Sequence, residues 1–241
     1  MKTIKTSRMY SQLKNCVSSL LSLFFPDLCC VCGRILVKGE EFICLHCQSK
    51  LPKIFYHTNN TLLKERFVNR IPCDKMFSFL YFSKEGVGQT LVHAIKYRKN
   101  RKLGIWCGAF LYKESSSSGF FEGIDALIPV PLHKKKQAKR GFNQSEAIAL
   151  GVSRESGIQV DTTHLLKTKY NQSQTAKRRY DRWVNSRETF ACANPEELAG
   201  KHLLLIDDVL TTGSTVEACV QCLRDIPDVK VSVLTLAVVK F

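Results

Sequence analysis

Two groups of side chains have the types and the spacing to do chemistry. The first is the adjacent pair Asp207 and Asp208, which follows four apolar residues, Leu203 to Ile206, and precedes Thr211, Thr212, Gly213, Ser214 and Thr215. Apolar residues without alternation mark a strand covered on both faces, as in a parallel sheet. Two carboxylates at the end of such a strand repel each other unless a cation or hydroxyl groups separate them. The run "TTGST" can wrap backbone N–H groups around an anion, and "STVEACVQCL" has the pattern of a helix starting there. A ligand with a phosphate at one end and a diol or metal at the other suits this arrangement.

The second group is Cys29-x-x-Cys32 and Cys44-x-x-Cys47, with eleven residues between the pairs. Two such turns each present two thiolates on one edge and together complete a tetrahedral four-sulfur cage, the coordination of zinc. A full shell of thiolates leaves no open position, so the expected role is structural. Gly33 suits the tight turn after the first pair, while Cys30 and His46 stand close enough to exchange with a neighbouring ligand. Cys16, Cys73, Cys107, Cys192, Cys219 and Cys222 lie in mostly apolar contexts, where a small buried hydrophobe is the expected role.

Other phosphate motifs that begin at a strand end do not match. No G-x-x-x-x-G-K-[ST] and no G-x-G-x-x-G occurs. Val209 stands where a haloacid-type phosphotransferase needs a second Asp. A response-regulator acidic pair would open its domain, whereas Asp208 comes near the end of this chain.

The elements that must position these groups follow from periodicity. "MFSFLYF" (Met76 to Phe82), "IDALIPVPL", "KHLLLIDDV" and "KVSVLTLAVV" read as buried strands. "GVGQTLVHAIKYRKN", "LGIWCGAFLYKE" and "NQSEAIALGVSRESG" read as helices, the last with Gly157 as its stop, and "SSSSG" at 115 to 119 as a flexible surface loop. Strands separated by helices predict a parallel α/β sheet. The chain divides on this reading into residues 1–75, a basic lead-in helix and zinc knuckle, and residues 76–241, the α/β domain. Composition is that of a globular protein, and 36 basic against 21 acidic residues give a net charge of +15, which calls for an anionic partner: nucleic acid, a phosphorylated small molecule or a membrane surface. No apolar run approaches a membrane span, and "SSLLSLFFPDL" lacks the small-residue cleavage site of a signal peptide, so a cytoplasmic location is expected, with peripheral membrane contact at most.

Over all thirteen positions "LLLIDDVLTTGST" resembles the phosphoribosyl pyrophosphate (PRPP) signature of type I phosphoribosyltransferases. With "PVPLHKKKQAKRGFNQSEAIA", "FFPDLCCVC", "HAIKYRKN" and "LTLA", the chain closely resembles the ComF family, competence proteins of the ComFC type and their GntX-like relatives. Gln174, Arg182-x-x-Asn185 and Phe190 are similar to the family's Q…R-x-x-N…F pattern, although "KYNQSQTAKRRYDRW" is more basic and less Leu-rich than that pattern. The resemblance implies a type I phosphoribosyltransferase fold with an N-terminal four-cysteine zinc knuckle, acting on PRPP in DNA uptake or related nucleic-acid handling. Asp207 and Asp208 would hold the ribose 2- and 3-hydroxyls, directly or through water on Mg2+. Thr211, Thr212, Gly213, Ser214 and Thr215 would cradle the 5-phosphate. Lys139 and Arg140, with backbone N–H groups of the loop after "PVP", would lie on the pyrophosphate side, and Lys96 resembles the family's recurrent lysine. Implied partners are PRPP, single-stranded DNA and competence helicase or recombination proteins.

Residues 167–187 carry seven basic side chains against one acid, with Tyr170, Tyr180 and Trp183 among them. Such charge and stacking faces suit single-stranded nucleic acid, with Lys177, Arg178, Arg179 and Arg182 as candidate contacts. The same charges suit a mobile loop that attracts pyrophosphate. A third reading is a scaffold that docks partner proteins through the knuckle. On the nucleic-acid reading the fold can be a catalytically silent module.

Overall fold

The computed structural model describes residues 25–55, 63, 67, 70–97, 100–168 and 189–239. The lead-in helix expected before residue 25 and the basic stretch 169–188 lie outside them. Contacts divide the chain between Lys50 and Leu51, so the residues from Leu51 to Lys75 go with the larger unit.

In the smaller unit the two CxxC turns are tied by hydrogen bonds rather than by a large core. Cys29 N–H donates to Arg34 O, Gly33 N–H to Cys29 O, and Cys30 N–H to Phe42 O. Gly33 has φ +74°, the left-handed backbone its turn requires. The Glu40 carboxylate accepts from Val37 N–H (3.0 Å), Leu45 N–H (2.7 Å) and Arg34 (2.7 Å), joining the two halves of the knuckle. Helix α1, Leu45–Ser49, follows, with the Cys44 sulfur accepting from Cys47 N–H at its N-cap.

The larger unit is a five-stranded parallel sheet flanked by helices. In chain order it contains β1 (Met76–Phe82), α2 (Val87–Tyr97), α3 (Arg101–Ser115), β2 (Ala126–Pro129), α4 (Lys134–Arg140), α5 (Gln144–Ser156), β3 (Gln159–Val160), β4 (Leu165–Lys167), β5 (Phe190–Cys192), β6 (His202–Leu210), α6 (Ser214–Arg224) and β7 (Lys230–Val239). The sheet order is β1-β7-β6-β2-β3, and β4 and β5 form a separate antiparallel pair. Central strands β6 and β7 are nearly continuous apolar runs, with Leu203 to Ile206 wholly buried. That pattern is what coverage on both faces requires.

Helices α3 and α5 cross at glycines. A Cβ on Gly108 would lie 2.0 Å from Ile148 O, and one on Gly151 would lie 2.0 Å from Ile105 O. The backbones therefore approach closer than any side chain would permit. The serine run is not a free loop: α3 continues through Ser115, whose hydroxyl donates to Leu111 O (2.6 Å), and a 3-10 turn over Ser116–Ser118 leads into buried Phe120 and Phe121. The Ser115 and Ser118 hydroxyls are spent on local backbone carbonyls, which the sequence pattern alone does not reveal.

Candidate functional site

Strand pairing sets the place of the acidic pair. On one side β6 runs beside β7 to its end, with Asp207 opposite Thr235; on the other, β2 stops at Pro129, opposite Ile206. Val130 N–H makes one more bond to Ile206 O, and the chain then leaves the sheet. From Asp207 onward β6 has lost its β2 neighbour, so the acidic pair lies at the carboxyl end of the sheet, the usual ligand position in open α/β folds.

The start of α5 lies beside the acidic pair. Gly141 ends α4 with φ +87°, Phe142 is buried, and Asn143 caps α5 by accepting from Ser145 N–H (3.1 Å). The Asn143 side chain also donates to Val130 O (3.0 Å), fixing the cap to the end of β2. So held, Ser145 donates its hydroxyl to Asp207 Oδ1 at 2.9 Å, and Asp208 N–H donates to the same oxygen at 2.9 Å. Lys96, in the last turn of α2, places Nζ 3.0 Å from Asp208 Oδ2. Burial, with the Asp208 charge adding to it, pushes the Asp207 carboxyl up to about 7, against the pull of the Asp208 N–H, Ser145 and Lys96. Two adjacent carboxyl groups, one of them raised by burial and by the other's charge, are relieved by further positive charge and hydroxyl donors. The residues present therefore suit a divalent cation and a vicinal diol.

Beyond the pair, the chain turns through Thr211 and Thr212 to Gly213, which has φ +81° and precedes α6. The N-cap residue, Gly213, has no side chain with which to cap this helix end, and the Thr212 and Ser214 hydroxyls lie 3.2 Å apart. N–H groups, hydroxyls and the positive end of an eleven-residue helix are the groups that suit a phosphomonoester.

Basic residues on the far side are differently disposed. The segment after Pro131, read from the sequence as a loop with available N–H groups, is helix α4. His133 Nδ1 accepts from Lys135 N–H, and His133 O accepts from the N–H groups of Lys136 and Gln137, so those donors are spent within the helix. Arg140 donates to Gln144 Oε1 (2.8 Å), one residue from Ser145, while Lys139 is exposed. Buried Gln144 Nε2 has no partner among the described residues. In β4, Lys167 lies over the Phe190 ring, 4.8 Å from its centroid; burial holds its amine below the ordinary lysine value. Lys177, Arg178, Arg179 and Arg182 lie outside the described residues.

Sequence reasoning missed Ser145 as a partner of Asp207, and it missed Arg70 and Glu217. Arg70 donates from Nε to Glu217 in the first turn of α6 (3.1 Å) and from Nη2 to Thr212 O in the loop before that helix. No local pattern announces hydrogen bonds spanning more than 140 residues.

In the knuckle, the sulfurs of Cys29, Cys32, Cys44 and Cys47 lie within 4.8 Å of one another and could hold a metal ion. Cys30 and exposed His46 are not in that set. Burial raises the Cys29 thiol, but hydrogen bonds from the N–H groups of Cys32, Cys44 and Val31 overcome it and hold the thiol at about 6. Burial and the neighbouring sulfurs push the Cys47 thiol up instead. Backbone N–H groups pointing at a sulfur cage are what a thiolate-bound cation requires. Of the other cysteines, Cys107 and Cys219 are buried, Cys73, Cys192 and Cys222 are half-buried, and Cys16 lies outside the described residues.

Fold and site together define a phosphoribosyltransferase-type domain. Residues 138–238 match the phosphoribosyl transferase domain family. The chain is 29% identical over 216 residues to the DNA utilization protein YhgH of Escherichia coli O157:H7, covering 83% of this chain and 92% of that protein. It is 26% identical over 214 residues to competence protein F of Haemophilus influenzae (87% and 90% covered), and 27% identical over 208 residues to competence protein ComFC of Bacillus subtilis (79% and 81%). Over most of its length the chain is thus similar to proteins of the ComF type, and it carries a phosphoribosyl transferase domain. Among the described residues no helix is long and apolar enough to cross a membrane.

Proposed function

We propose that the carboxyl end of β6 binds PRPP with Mg2+, as a pentosyl-transfer site, and that the protein works in DNA uptake or related handling of nucleic acid. The carrying observation is the convergence of Asp207, Asp208, Ser145 and Lys96 beside the loop Thr211 to Thr215. In this reading the loop holds the 5-phosphate, and Asp207 and Asp208 fix the ribose hydroxyls. Arg140 and Lys139 stand on the pyrophosphate side. Mg2+, when bound, neutralises charge on the departing pyrophosphate. Asp207 loses its proton when the cation and diol arrive. Lys96 pairs with Asp208 and orients it. As pyrophosphate leaves C1 the ribose gains oxocarbenium character, and fixed charges aimed at that separation lower the barrier. Zinc is the cation we assign to Cys29, Cys32, Cys44 and Cys47. Relatives named for competence and DNA utilization support the nucleic-acid role, for which Lys177, Arg178, Arg179 and Arg182 are the proposed contacts.

Calorimetric titration with PRPP and Mg2+ tests the site. Saturable one-site binding is expected for the wild type, with at least a hundredfold loss in Asp207→Asn/Asp208→Asn. A folded, metal-loaded wild type that takes up no PRPP would refute the nucleotide-sugar site. Single-stranded DNA would then be the principal ligand.

A further inference from the structure

The phosphate loop is held from outside by a residue far away in the sequence. Arg70 grips Thr212 O through Nη2 while Nε bonds Glu217, whose carboxylate is almost wholly buried in the first turn of α6. A Cβ on Gly213 would lie 2.8 Å from Arg70 Nη2 and 3.0 Å from the Phe67 ring, so the guanidinium lies directly against the loop backbone. Phe67 is buried, with its centroid 5.8 Å from the Arg70 guanidinium carbon.

The peptide joining Thr212 to Gly213 is trans, since the described chain contains no cis bond. In a trans peptide the carbonyl and the N–H point in opposite directions. A cation fixed on Thr212 O therefore turns Gly213 N–H to the other side of the loop and polarises that bond. We infer that Arg70 is a positioning residue for the phosphate site: anchored on Glu217, it sets the peptide plane that aims Gly213 N–H at a phosphomonoester. This rests on the loop being the 5-phosphate cradle. It adds a second reason for glycine at 213, because any side chain there would collide with Arg70 as well as strain the backbone.

The two halves of the ligand, titrated separately, provide the test. Ribose 5-phosphate would use this loop, whereas Mg-pyrophosphate would use the other end of the site. For Arg70→Ala, ribose 5-phosphate affinity is expected to fall tenfold or more, with Mg-pyrophosphate affinity within twofold of wild type. Arg70→Lys, which keeps the charge but cannot bond Glu217 and Thr212 O together, should fall between and serves if the alanine variant folds poorly. Adding Glu217→Gln to Arg70→Ala should cost little more, because both remove the same latch. Unchanged ribose 5-phosphate binding in Arg70→Ala, or parallel loss of both ligands, would overturn the role of Arg70 while leaving the site standing. A wild type with no affinity for ribose 5-phosphate would overturn the site and the latch together.

Discussion

Asp207 is the residue on which the chemistry and the stability of this protein meet. Its carboxyl, pushed up to about 7 by burial and by Asp208, carries a proton in the folded chain at pH values where the unfolded chain has lost it. Folding therefore binds a proton between about pH 4 and pH 7, and without ligand stability falls as pH rises through that window. Asp207→Asn keeps the acceptor for Ser145 but cannot ionise. The variant should exceed wild type by on the order of 4 kcal/mol at pH 8 and converge with it near pH 4. Urea denaturation in chelator across that range would show it. Gly213→Ala addresses the neighbouring loop. With φ at +81° and Arg70 in the space of the methyl, it should cost about 1–2 kcal/mol in stability and most of the affinity for a phosphomonoester. Thermal melts with and without ribose 5-phosphate separate those effects.

Among the elements, the crossing of α3 and α5 carries the site, because α5 delivers Ser145 to Asp207. Gly108→Ala or Gly151→Ala would force a methyl into a facing backbone carbonyl and should destabilise by about 3 kcal/mol, read from urea midpoints. The knuckle makes its own prediction. One metal ion per chain is expected by elemental analysis and is lost in Cys44→Ser. Because Cys47 is held as the thiol, uptake must displace its proton, so metal affinity should fall as pH falls. Strands β1, β6 and β7, and helices α2, α3, α5 and α6, were legible because each buries a long apolar pattern, and the short β2 because prolines end its apolar run. The acidic pair and its loop were legible because the chemistry sits in one contiguous stretch. Helix α4 was not, since "KKKQAKR" has no apolar face and forms on a His133 cap. Strands β3, β4 and β5 are two or three residues long, too short for a period. Arg70 and Glu217 meet only through tertiary packing, and Ser145 reaches Asp207 only because Asn143 ties α5 to the end of β2.

At the scale of the whole molecule, a net charge of +15 and the proposed cradle for a phosphorylated sugar point to two anionic ligands. The basic stretch 167–187 and that cradle should be separable. Replacing Lys177, Arg178, Arg179 and Arg182 with alanine should weaken an oligonucleotide complex. It should also flatten the salt dependence, by about 0.7 in logarithmic slope for every phosphate no longer neutralised, and leave the affinity for ribose 5-phosphate within twofold. Fluorescence anisotropy over a salt series measures the first two quantities and calorimetry the third. The most direct test of the central claim is a crystal structure of the protein with PRPP and Mg2+. The account predicts the 5-phosphate within hydrogen-bond distance of the N–H groups of Thr211 to Thr215 and the ribose hydroxyls at Asp207 and Asp208. Crystals grown at saturating ligand that show the sugar elsewhere, or show none, would contradict it.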